Sequence, residues 1–312
     1  MTRVKYILAV MVSLLLTVNI SFAGHEFDVL TTKGDIKIKK ENSTKWESLD
    51  KGQKLFSKDQ LKLNKGAYLS LVHTNGNPVE VNKSGNYSIS KLSSKAKSKK
   101  SNVTKKFTNF IIDELGESDD LLSSGDLSES MSTLGAVERA IDKNGINVRL
   151  PKSTYLIDNQ VNLSWYEKEG AKSYKFTLRN PDDEVVMSKE LDGTALDINL
   201  DDVKVEDGEC YYWSITVDDK TSQEYCLYRM TKEEAEEVTN DVSSITAELG
   251  EDAAIGQLVL ASYYAKKKVV NRAIAAYQKA IEISPEVEKY KFLYAKYLTS
   301  LGLQSEAEKA MK

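Results

Sequence analysis

Cys210 and Cys226 are the only two cysteines in the 312-residue chain, which makes them the first place to look for chemistry. A metal clip needs further nitrogen, sulfur or carboxylate ligands, and no histidine lies near either cysteine. A redox pair is more often spaced Cys-x-x-Cys. A structural bond or two separate thiols remain, and the intervening sequence favours the bond. From Cys210 to Val217 the large residues Tyr211, Trp213, Ile215 and Val217 fall on one face of a strand, so Cys210 points to the other. A hairpin turning at Asp218, Asp219 and Lys220, with its register centred on Asp218, places Cys210 opposite Cys226 and within reach of a cross-strand disulfide.

Other reactive constellations are missing. The two histidines, His25 and His73, lie in different segments without a cysteine or carboxylate pattern of metal spacing. There is no nucleophile elbow, phosphate loop or dinucleotide fingerprint. The acid pairs Asp119-Asp120, Asp182-Asp183, Asp201-Asp202 and Asp218-Asp219 fall in expected turns or linkers, where carboxylates are usually solvated rather than held across a sugar cleft. The expectation is a protein that is not an enzyme and carries no cofactor and no metal.

Hydrophobic residues make up 41% and charged residues 29% of the chain, an ordinary globular balance, and the net charge of -4 gives no footprint for nucleic acid. At the N-terminus, Arg3 and Lys5 precede an apolar run from Tyr6 to Ile20 and the small residues Ser21 and Ala23. This reads as a signal peptide over residues 1–23, with a retained membrane anchor as the alternative. Export would place the chain in the periplasm or outside the cell, where paired cysteines tend to be oxidised. After cleavage no membrane span is expected.

The elements that must position any site follow in three blocks, so the expected fold is a multidomain α and β chain. Residues 27–92 read as all-β: Ile36 and Ile38, Leu61 and Leu63, and Leu69 and Leu71 alternate with polar residues, and Gly34, Gly52, Gly66 and Asn75-Gly76 punctuate them. The order of turns and strands, with Trp46, Leu49 and Leu55 between them, resembles the FecR-type domain of bacterial envelope proteins. That resemblance implies an envelope role and, in the sensors of the family, iron-uptake signalling through a membrane helix, of which there is no internal counterpart here. Residues 93–145 hold a basic serine-rich run, SSKAKSKKSNVTKK, and an acidic one, DELGESDDLLSSGDLSES. They read as a solvated linker interrupted by short helices at Phe107, Phe110, Ile111 and Leu115, and at Met131, Leu134 and Ile141.

Residues 146–230 return to about seven short strands separated by Asn180-Pro181, Asp192-Gly193 and Asp207-Gly208. Trp165, Tyr174, Phe176, Tyr211 and Trp213 in this setting resemble a fibronectin type III or related immunoglobulin-like sandwich. In residues 231–312, Thr231 and Glu234 fit a capping box, and Ala235, Val238, Val242, Ile245 and Leu249 form one helical stripe ended by Gly250. Leu260, Ala261, Tyr264, Ala273, Tyr277, Ala280 and Pro285 then match the spacing of a tetratricopeptide repeat. A shift of 34 residues, the period of that family, carries Ala261 onto Ala295, Tyr264 onto Leu298 and Ala273 onto Ala307. The small residues should let helices nest, and Pro285 should open the next helix. The array is short, so the helix from Thr231 should cap it, or the array should pack on the sandwich or on a second copy.

Tetratricopeptide arrays usually bind peptide segments, which makes Tyr263, Tyr290 and Tyr297 candidates for a partner-binding surface, with packing between helices the alternative for each. The functional expectation is a non-enzymatic envelope adaptor or scaffold that binds a protein or peptide partner. The alternatives are a glycan or cell-wall binding protein using the outward tyrosines Tyr212 and Tyr228, and a FecR-like sensor.

Overall fold

The computed structural model describes residues 24–96, 100–123, 146–150, 153–285 and 287–312. The expected signal segment and the expected helix around Met131, Leu134 and Ile141 lie outside these residues.

The first β unit is built from β1 (Phe27–Lys33), β2 (Ile36–Lys39), β3 (Glu47–Ser48), β4 (Lys54–Leu55), β5 (Gln60–Leu63), β6 (Tyr68–His73), β7 (Pro78–Val81) and β8 (Gly85–Ser88). They form two four-stranded sheets, ordered β4-β1-β6-β7 and β3-β2-β5-β8. Alternation decides what faces in: Ile36 and Ile38 of β2 and Leu61 and Leu63 of β5 are buried while their neighbours are not. Gly34 has φ +73 and packs against Ala67, so a side chain there would be strained and crowded. Helix α1 (Ile89–Ala96) closes one end by burying Ile89, Leu92 and Ala96.

The middle unit has two facing sheets. One is ordered β14-β11-β9, from β9 (Val148–Leu150), β11 (Gln160–Trp165) and β14 (Ala195–Asn199). The other is ordered β10-β17-β15-β12-β13, from β10 (Thr154–Leu156), β12 (Tyr174–Arg179), β13 (Val185–Leu191), β15 (Cys210–Val217) and β17 (Tyr225–Arg229), with the short β16 (Lys220–Thr221) paired to β15. Trp165, Phe176, Trp213 and Ile215 are fully enclosed between them, as the in-and-out phase requires. The Tyr211 hydroxyl accepts the Glu206 N–H at 3.0 Å and ties down the connection leading into β15. Strand β10, which is not among the expected strands, pairs parallel to β17.

The disulfide Cys210–Cys226 is present, with a Cα–Cα distance of 5.6 Å. Its register differs from the one expected. Cys210 pairs with Tyr228, and Cys226 pairs with Tyr212. The turn is tighter than expected: Val217 pairs directly with Lys220, leaving Asp218 (φ +54) and Asp219 as a two-residue loop. The chain then leaves the ladder after Thr221 and rejoins it at Tyr225. The net displacement is two residues, which preserves the face, so the cysteines meet diagonally on the side away from the core.

The helices are α2 (Asn102–Ser123), α3 (Lys232–Leu249), α4 (Ala254–Lys266), α5 (Val270–Ile283), α6 (Glu288–Ser300) and α7 (Gln304–Ala310). Helices α4 and α5 form one antiparallel hairpin, and α6 and α7 a second. Ala261, Ala273, Ala280, Ala295 and Ala307 are fully buried at their contacts, with Leu260, Tyr277 and Leu298 around them and Tyr264 partly buried. Helix α3 carries the capping box, Thr231 accepting from the Glu234 N–H and the Glu234 side chain accepting in return. A Cβ on Gly256 would stand 2.8 Å from the Gly250 carbonyl oxygen, so only glycine permits the close entry of α4 after α3. Pro285 does not open the next helix: α6 begins at Glu288, with Val287 as its N-cap residue, and Pro285 lies in the turn between hairpins.

The expected solvated linker is the largest departure over its described part. Residues 93–96 complete α1, and α2 packs along α4, α6 and α3. Phe107, Ile111 and Leu115, at i, i+4 and i+8, are buried in the same core as the helical hairpins. That core also takes in Tyr68 from the first β unit and Met230 from the end of the sandwich.

Candidate interaction site

Helix α2 lies across α4 and α6, the leading helices of the two hairpins. Its placement is held at several points. The Glu248 carboxylate accepts the Ser101 N–H at 2.9 and 3.0 Å, a cap on α2 supplied by α3. Lys289, buried at the start of α6, donates to the Leu115 carbonyl oxygen at 2.9 Å. Lys296 donates to Glu114 at 2.6 Å. The Phe107 ring meets Tyr263 edge-on at 5.3 Å.

Between α2 and the hairpins a pocket of about 480 Å³ remains. Phe107, Phe110 and Ile111 form one wall, Ser262 and Ala265 a second, and Tyr277, Leu293 and Tyr297 a third, with Lys106, Glu114, Lys266, Lys296 and Ser300 completing the lining. Tyr277 and Tyr297 pack with centroids 5.3 Å apart. Burial pushes both phenols above their ordinary range, with the Glu114 charge adding to the shift at Tyr277, so both stay neutral hydroxyls. Phe110 stands off the buried stripe of α2 and is 49% exposed. It is one of five exposed large apolar residues among the described residues, with Trp46, Phe56, Val185 and Tyr212.

The three tyrosines singled out from sequence separate in the structure. Tyr297 lines the pocket. Tyr263 is buried beneath Phe107 and donates to Asp241 at 2.8 Å, so it is enclosed rather than presented. Tyr290 is buried against the first β unit, its hydroxyl 2.8 Å from that of Tyr68. Residues 222 positions apart leave no local signature of meeting. Phe110 was visible in sequence only as part of a helical spacing; its offset from the 107-111-115 stripe was the available signal.

The neighbouring unit is latched on as well. Helix α4 has Ala253 as its N-cap residue, which offers no side-chain cap. Glu80 of β7 takes that role, accepting the N–H groups of Ala254 at 2.9 Å and Ile255 at 2.6 Å. On the other side, the Thr154 hydroxyl oxygen of β10 accepts the Val270 N–H at 3.0 Å at the start of α5, and the Tyr155 N–H donates to the Lys268 carbonyl oxygen at 3.0 Å.

One cluster has the composition of a catalytic triad. His73 Nε2 lies 3.0 Å from Ser93 Oγ and 3.1 Å from Glu26 Oε2, and the Ser93 hydroxyl donates to Glu26 at 2.5 Å. The wiring is wrong for nucleophile activation. Asn75 N–H donates to Nδ1 at 3.1 Å, which places the imidazole proton on Nε2. The ring then presents a proton to Ser93 rather than a lone pair, and the carboxylate sits beside the same nitrogen instead of behind the other one. With His73 and Ser93 both buried, the cluster fastens α1 to the sheet. No group of three or more His, Cys, Asp or Glu side chains among the described residues is placed to hold a metal ion.

The outward tyrosines of the sandwich also differ from each other. Tyr212 is 39% exposed. Tyr228 donates to Glu234 at 3.0 Å and packs on Tyr155 with centroids 4.5 Å apart, at the junction with α3.

No family model matches the chain, and no curated protein matches it. Similar solved structures include a Fn3-like protein from Clostridium thermocellum, at 20% identity and TM-score 0.20 over 28% of this chain and 90% of that one. The spore cortex lytic enzyme SleM of Clostridium perfringens matches at 17% identity and TM-score 0.19, over 27% of this chain and 26% of that one. A β-1,2-glucanase from Parabacteroides distasonis matches at 10% identity and TM-score 0.22, over 54% of this chain and 34% of that one. This chain therefore spans about a quarter and a third of the two enzymes. Likeness at this level carries no functional argument.

Proposed function

We propose that this protein is a non-enzymatic adaptor of the cell envelope that holds a partner protein on its helical face, with its two β units serving as rigid flanks. The observation that carries this reading is the pocket between α2, α4, α5 and α6, apolar on three sides and bordered by the exposed Phe110. Large apolar side chains left at a concave surface mark interaction sites. The tetratricopeptide-like spacing of the hairpins supports the same face. Export is supported by the sequence of residues 1–23 and by the disulfide; no described helix is long and apolar enough to cross a membrane.

The glycan alternative rests on Tyr212 alone, since Tyr228 is engaged at the α3 junction. Both readings are tested by affinity capture from an extract of the source cells, with immobilised residues 24–312 beside the isolated sandwich of residues 146–230. The adaptor reading expects a protein retained by the longer chain and absent from the sandwich. Retention of cell-wall glycan on both, with no protein specific to the longer chain, would defeat it.

A further inference from the structure

Resting on that reading, we infer that the partner segment is acidic and apolar: it places large apolar side chains in the pocket between α2 and the hairpins and sets carboxylates against the lysines around it. The pocket's volume, about 480 Å³, lies within the range of roughly 300–1,000 Å³ typical of ligand sites. Its walls offer apolar contact and few directed hydrogen bonds, so shape and burial supply the attraction and charge at the edge supplies the selection.

The charge is local and opposite to that of the whole chain. The net charge of the protein is -4, yet the pocket is bordered by Lys106 on α2, Lys266 on α4 and Lys296 on α6, against the single carboxylate of Glu114. Glu114 is bonded to Lys296. Lys106 and Lys266 are exposed. The lysines sit on three different helices, so one head group, such as that of a fatty acid, cannot answer them together. A peptide carrying several carboxylates around apolar anchors can. Phe110 favours the same choice. It is 49% exposed at the edge of the pocket, so it offers a lateral face to an incoming segment rather than a roof over a buried tail.

The pocket is also composite. Helix α2 is distant in sequence from the hairpins, and it supplies Phe107, Phe110 and Ile111 to the wall. Selectivity therefore depends on a helix outside the repeat.

The test uses the whole chain (residues 24–312) and a displayed library of short random peptides. Selected peptides are expected to be enriched in Phe, Leu or Trp next to Asp and Glu. Their affinity should fall about tenfold in Phe110→Ala, as for an anchor at an interface centre. It should fall several-fold in Lys106→Glu/Lys266→Glu, with the salt dependence of the remaining binding reduced. All three side chains are exposed, and helical circular dichroism confirms that the variants fold. Selected peptides without acidic bias, or affinities unmoved by either variant, would overturn the inference. So would no selected peptide at all, with or without binding of laurate. The two failures are distinguishable: if the unmodified chain captures a cellular protein and both variants capture it equally, the adaptor stands and this pocket is not its docking site, whereas an unmodified chain that captures no protein defeats the adaptor reading itself.

Discussion

The sandwich and the helical unit solve the same problem of burial in opposite ways. The core of the sandwich runs from Ile146 to Leu227 and takes every member from its own strands and connections. The helical core begins with Tyr68 of the first β unit, continues with Phe107, Ile111 and Leu115 of α2, and takes Met230 from the end of the sandwich before reaching α3. The two helical hairpins do not cover their own apolar faces, since their core includes residues from outside them. Helix α2 and the two β units provide the missing cover. A unit that closes on itself can be read and cut out as a module. A unit that borrows its cover cannot, and the borrowed surface is where its pocket forms.

The most severe way to break this comparison is to separate the pieces. Residues 146–230 alone should fold cooperatively when oxidised. Residues 231–312 alone should lack a sharp thermal transition, and the addition of residues 100–123 should restore helical signal. Circular dichroism and analytical ultracentrifugation decide the matter; a cooperative, monomeric 231–312 fragment would remove the distinction.

Side-chain truncation gives the next effect. Trp213→Ala should cost about 3–5 kcal/mol, as for fully buried aromatics, and Phe107→Ala about 3 kcal/mol. The probes are separable. The chain has three tryptophans, Trp46, Trp165 and Trp213, and none lies in the helical unit. Phe107→Ala should lower the transition seen by helical circular dichroism and leave the tryptophan fluorescence transition nearly in place. Coincident shifts in both signals would mean that the units unfold as one.

The smallest effect sharpens the joint between the first β unit and α4. Burial raises the Glu80 carboxyl above its ordinary range, against the lowering pull of the Ile255 and Ala254 N–H groups. A carboxyl protonated more readily in the folded state contributes stability that is complete below its unfolded pKa and lost as pH rises through the folded one. Acidification from neutral pH should therefore raise the Tm of the native protein relative to Glu80→Gln. A pH-independent difference would show that Glu80 is not desolvated.

What could be read from sequence follows the same division. Strict alternation fixed the inward face of Trp213, Ile215 and Val217, and the diagonal disulfide survived a register error of two because such a slip keeps the face. The error came from the irregular return between Thr221 and Tyr225, which alternation cannot count. The alanine spacing placed Ala261, Ala273, Ala295 and Ala307 at helix contacts. Helix α2 was obscured by its composition: the lysines and serines around Phe107 suggested solvent, while the partners of its apolar stripe lie more than a hundred residues away. Tyr290, open in sequence to either a surface or a packing role, is buried against Tyr68 of another unit, a contact that no local pattern announces. Glu80 left one faint trace, a helix opening at Ala253 without a capping side chain, which implies a donor from elsewhere.

Hydrogen exchange on the intact chain tests the central claim most directly, because it asks whether α2 belongs to the helical core. The amides of residues 107–115 should be protected to a degree comparable with those of α4, since both would open with the same core. Exchange of residues 107–115 at the rate of an unstructured peptide, with α4 still protected, would contradict the account and remove one wall of the proposed docking site.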